Sequence, residues 1–131
     1  MTGLTKETEQ KIRDLGQSLK LQLDFVAAAD MTKQDDQLQL AQNNHKTAAL
    51  MIDLMRDLKV TGANDADVLD AIVNKAEAAG SKSADVLKAQ VSKVRAINDD
   101  VRELAMERAA EKKPVKPEDI NRIFKKHLSP T

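Results

Sequence analysis

From Ser83 to Lys113 apolar residues return at every third or fourth position: Leu87, Val91, Val94, Ile97, Val101, Leu104 and Ala105. That spacing gathers them on one stripe of an α-helix, with Lys88, Lys93, Arg95, Asp99, Asp100, Arg102, Glu103 and Glu107 largely on the other side. Ser83 reads as the N-cap, with Asp85 in the first turn where the helix dipole favours negative charge. Pro114 stops the helix, because proline cannot continue it and restricts the residue before it. At ~1.5 Å per residue such a helix measures ~45 Å. Its single apolar stripe has to be covered by other helices.

The rest of the chain reads the same way. A first helix is expected from about Thr5 to Ala29, with a seam at Ile12, Leu15, Leu19, Gln22 and Val26. Leu19, Leu21, Leu23 and Phe25 alternate with polar residues, a strand-like pattern, but helix-forming flanks and the lack of turn signals favour helix. Leu21, Phe25 and Ala28 then form a second strip, expected to be covered by a third helix of the bundle. Thr32 and Asp35 resemble a capping box at the start of a second helix that runs to about Lys59. That helix carries two strips: Leu40, Asn44, Thr47, Met51, Leu54 and Leu58, and Leu38, Ala41, His45, Ala48, Ile52 and Met55. The short connection makes the first two helices an antiparallel hairpin.

Thr61 to Asp65 reads as a loop, with Asn64 capping a third helix that ends at Gly80 and buries Val68, Leu69, Ile72, Val73 and Ala76. The run Ala66-Asp67-Val68-Leu69 returns as Ala84-Asp85-Val86-Leu87; two short copies are first turns of capped helices rather than a repeat architecture. Pro117 opens a short fifth helix with Ile120, Ile123, Phe124 and Leu128 on its apolar face, and Ser129 to Thr131 are expected to fray. The fold class is therefore all-α: three long helices, one shorter helix and a short C-terminal helix. The bundle domain is expected over 1–113, with a proline-started linker and basic amphipathic helix over 114–131.

Composition narrows the function classes. With 131 residues the chain suits one domain. Its only aromatics are Phe25 and Phe124, which suits close helix–helix contact and disfavours a large ligand pocket. Lys and Arg balance Asp and Glu at 21 each, so net charge exerts no general pull towards nucleic acid or membrane. Without cysteine there is no disulfide, thiol nucleophile or cysteine-ligated metal. The polar N-terminal stretch lacks a signal-peptide core, Thr2 does not fit the myristoylation pattern, and no apolar run reaches a membrane span, so a cytoplasmic location is expected.

Candidate chemistry is sparse. His45 lies midway along the second helix, an arrangement similar to histidine phosphotransfer domains. There a lysine stands three residues on and a glycine four on, where this chain has Ala48 and Ala49. The alternative role for this stretch is structural, with Asn43 and Asn44 setting register in an interhelical seam. A haem bundle could use His127 with Met31, Met51, Met55 or Met106, but signal sequence and aromatic pocket walls are both missing. Glu-x-x-His motifs, Gly-rich phosphate loops and zinc spacings do not occur, so no enzyme activity, metal or cofactor is expected. Residues 112–131 hold Lys112, Lys113, Lys116, Arg122, Lys125 and Lys126 against two acids, a patch that would suit phosphate and makes nucleic-acid association the alternative function. The function expected first is a helical protein-interaction module such as an adaptor, assembly chaperone, inhibitor or structural subunit. Its partner would be another protein or a second copy of the chain. Leu21, Phe25, Phe124 and Leu128 are the expected contact residues, because aromatic anchors carry much interface energy.

Overall fold

A computed structural model of the chain describes residues 3–128. Those residues form five helices: α1 (Lys6–Ala28), α2 (Gln34–Leu58), α3 (Asp65–Ala78), α4 (Ala84–Ala110) and α5 (Pro117–His127). The expected fraying at Ser129 to Thr131 lies outside the described residues. No described helix is long and apolar enough to cross a membrane.

Local chemistry sets the helix ends. The Thr5 hydroxyl accepts the Thr8 N–H at 3.0 Å and the Asn64 side chain accepts the Asp67 N–H at 2.9 Å, so each satisfies a donor left free by the first turn. Thr32 does not cap α2 as its sequence suggests. Its N–H and hydroxyl both bond the Asp30 carboxylate in a tight turn, and the helix starts two residues later behind Lys33. Ser83 is likewise no side-chain cap: its backbone is already helical, and its N–H is held by the Ser81 hydroxyl. Gly80, at φ 75°, closes α3 with Gly80 N–H to Glu77 O and Ser81 N–H to Ala76 O, a Schellman pair that requires the left-handed region. The same turn ends α4 earlier than the proline predicts. Lys112 adopts φ 57° and Lys113 N–H returns to Arg108 O, so the helix is finished before Pro114.

Side-chain pairs fix the packing directions. Lys11 to Asp57 and Ser18 to Thr47 run α2 antiparallel to α1. Glu9 bonds Ser81, and a Cβ placed on Gly16 would lie 3.7 Å from Leu87 Cα, so α1 and α4 run parallel. Lys88–Glu77 and Arg95–Asp70 set α3 antiparallel to α4. The neighbours form a ring of α1, α2, α3 and α4, in which α2 and α4 hardly touch.

The core is divided along the bundle. The larger cluster joins the N-terminal half of α1, the C-terminal half of α2, all five residues expected from α3, and Ala84, Leu87 and Val91 of α4. The second cluster joins Leu23 and Val26 of α1, Met31, Ile97 of α4, and Phe124 and Leu128. Two expectations are corrected here. Ala105 is exposed, because α5 meets α4 on a neighbouring face. Among the described residues no helix covers Leu21 or Ala28: Leu21 is 62% exposed and Ala28 is exposed, while Phe25 is half-buried against the second cluster.

Candidate functional site

At 14 residues α3 spans about 21 Å, against about 37 Å for the 25 residues of α2. It therefore fills the gap between α2 and α4 over only part of their length. Beyond it the gap stays open as a cleft of about 280 Å³. The floor is Gln22, Leu23 and Val26 of α1, and Leu40 and Asn44 of α2 form one wall. Val94, Ile97, Asn98 and Val101 of α4 form the other wall, joined by Ile120 and Phe124 of α5.

Three polar clusters hold α5 in place as part of that wall. The Asn121 amide grips the α1–α2 connection with both ends: its oxygen accepts the Met31 N–H at 2.7 Å and its nitrogen donates to Asp30 at 2.8 Å. The Thr32 hydroxyl, the Thr32 N–H and the Asn121 amide together hold the Asp30 carboxyl down to about 2. At the start of α5 the buried Asp119 carboxylate accepts the Lys116 N–H and pairs with Arg108 at 3.3 Å and Arg122 at 3.5 Å. The Lys116 backbone bond and the Arg108 guanidinium keep its pKa below the usual aspartate range. At the far end Asp100 takes His127 at 2.6 Å and Lys126 at 3.1 Å, and these two hydrogen bonds lower its pKa as well.

The cleft is apolar with a sparse set of amides. Gln22 donates to Asn44 and accepts from the Thr47 hydroxyl at 3.2 Å, extending a polar ladder that begins at Ser18 and fixes the α1–α2 register. Asn98 faces across from α4 and is exposed. Among the described residues no charged side chain lines the space. Its volume falls below the ~300–1,000 Å³ of ordinary small-ligand pockets but accommodates one or two large side chains.

Three of the four expected contact residues come together at the second core cluster, and Leu21 stands apart. Phe124, at 7% exposure, lines the cleft from inside the second cluster; Leu128, at 9%, belongs to that cluster; Phe25 packs at its edge. Leu21 is on the surface and lines no part of the cleft. Among the six basic residues, Lys113 pairs with Glu111, Arg122 with Asp119 and Lys126 with Asp100, whereas Lys112, Lys116 and Lys125 make no ion pair among the described residues. His45 is exposed on α2; His127 is engaged by Asp100. Among the haem-ligand candidates Met31 and Met51 are core residues, Met55 packs against the larger cluster and Met106 is exposed.

Nothing in the sequence marks Leu40, Asn98 or Ile120 as site residues. Gln22 and Asn44 were visible as polar interruptions of apolar seams, but nothing in one sequence places them opposite Asn98.

The chain matches no protein-family model, and comparisons with curated proteins and with solved structures find no significant match.

Proposed function

We propose that this protein is a non-enzymatic helical interaction module, and that its cleft receives a large apolar side chain from a helix of a partner protein. The observation that carries the reading is the unfilled length of the α2–α4 gap above α3, an incomplete four-helix arrangement with an apolar floor and an amide rim. Helix-in-groove recognition uses such a surface: a few apolar anchors enter, and polar groups at the edge fix the orientation. The Leu23, Val26, Ile97 and Phe124 surfaces would take the anchor, and Gln22, Asn44 and Asn98 would bond polar groups flanking it. The basic segment lends less to a nucleic-acid role, because Lys113, Arg122 and Lys126 already face acidic partners.

The test is selection of a displayed library of amphipathic helical peptides on the full chain. A variant with the cleft plugged by Asn98→Trp and Asn44→Trp serves as the comparison. Peptides bearing leucine or phenylalanine at helical spacing are expected to bind the wild type at least about tenfold more tightly than the plugged protein, a difference of about 1.4 kcal/mol. Failure to enrich any peptide, or equal binding to the plugged protein, would overturn the proposal.

A further inference from the structure

From Leu38 to Ile52 the second strip of α2 points away from the cleft and stands exposed among the described residues. Leu38 is 59% exposed and Ile52 55%, and Ala41, His45 and Ala48 between them are exposed too. The steps from 38 to 52 run three, four, three, four, which is the seam spacing of a two-helix coiled coil rather than the broader face of a globular helix. The order is nearly the same in both directions about His45: leucine, alanine, histidine, alanine, isoleucine. In two copies related by a two-fold axis beside His45, residue i of one copy meets residue j of the other and the reverse, so this order sets leucine against isoleucine at both ends of the strip.

Charge complements the pattern. Asp35 and Arg56 sit on the same edge of the strip, near its opposite ends, about 31 Å apart at 1.5 Å per residue. Both are exposed, and neither makes an ion pair among the described residues. Parallel pairing would set like charges at the same level. An antiparallel pair centred near His45 brings Asp35 of each copy to Arg56 of the other, twice by symmetry.

We infer that two copies of this chain pair through the outer strip of α2, antiparallel, with the axis beside His45. The alanines allow the helices to approach closely, and Leu38 of one copy covers Ile52 of the other. The seam from Leu38 to Ile52 is about 21 Å long. That is short against a standard interface of about 800 Å² per partner, so the dimer is weak and dissociates on dilution. This inference stands apart from the cleft, which uses a different face of α2, and either can fail without the other.

Sedimentation of the full chain from about 10 µM to 1 mM tests association. Wild type is expected to shift from monomer to dimer, whereas Leu38→Glu with Ile52→Glu stays monomeric with an unchanged melting temperature. Asp35→Arg alone is expected to weaken the dimer by about fivefold or more, and Asp35→Arg with Arg56→Asp to restore it. The cysteine-free chain also permits an orientation test. His45→Cys is expected to form a disulfide-linked dimer on oxidation, and Leu38→Cys is not, because its two copies stand about 21 Å apart in the antiparallel pair. A monomer throughout the range, no rescue by the charge swap, or crosslinking of both cysteine variants would overturn the inference.

Discussion

Phe124→Ala probes whether α5 is energetically part of the bundle. The ring is 7% exposed and packs with Leu23, Val26, Met31, Ile97 and Leu128. Truncating a buried phenylalanine costs about 3–5 kcal/mol, the loss of transfer energy plus the cavity left behind. One edge of this ring already borders the cleft, so water can enter the vacated space, which sets the expectation at the low end, about 3 kcal/mol. With 131 residues at about 2.1 cal/mol/K each, the unfolding entropy is about 0.28 kcal/mol/K, so the melting temperature should fall by about 11 °C. Leu21→Ala, at a 62% exposed position, is the control and should change stability by less than about 0.5 kcal/mol. Urea titration followed by circular dichroism measures both. A loss below about 1 kcal/mol for Phe124→Ala would refute the reasoning, because the second cluster would then contribute little to holding the helices together.

Other substitutions test other joints. A Cβ on Gly62 would stand 2.7 Å from the Val68 backbone nitrogen, so Gly62→Ala should destabilise by about 1–3 kcal/mol in thermal melts. Gly16→Ala meets only ordinary contacts with Leu87 and should be neutral or stabilise by up to about 1 kcal/mol through helix propensity. Asn121→Asp replaces the donor facing Asp30 with a second carboxylate; hydrogen exchange should speed up in α5 before the other helices, with a loss of about 1–3 kcal/mol. Asp30, Asp57, Asp100 and Asp119 all have folded pKa values below the ordinary 3.8, with Asp30 at about 2. Each stabilises the fold above the unfolded value and loses that contribution as pH falls through its folded value. The melting temperature should therefore drop most between about pH 4 and pH 2, and Asp30→Asn should flatten that drop.

Much of the fold was legible because helix periodicity is a local signal. All five buried positions expected in α3 are buried, and Asn64, Gly80 and Pro117 mark helix ends as their chemistry dictates. The start expected at Thr32 was missed because Asp30, two residues earlier, takes both the N–H and the hydroxyl of Thr32. Ser83 does stand at the N-cap position of α4, but its backbone is already helical and its side chain makes no cap bond. The strip of Leu21, Phe25 and Ala28 misled because periodicity reports an apolar face and not whether anything covers it. The cleft was not legible at all. It depends on α3 being shorter than the helices it joins and on α5 returning along α4, and both are relations between distant segments.

The central claim is that the cleft is where a partner helix docks, and the side-chain amides of Gln22, Asn44 and Asn98 report on it directly. The decisive measurement is a nitrogen-15 correlation spectrum of the labelled chain, recorded while a peptide from the helical library is titrated in. Docking in the cleft predicts that these three amide pairs shift together and saturate together, with Val94, Val101 and Ile120 following in the backbone. Shifts confined to the α5 lysines, or to the outer strip from Leu38 to Ile52, with the three amides unmoved, would contradict it.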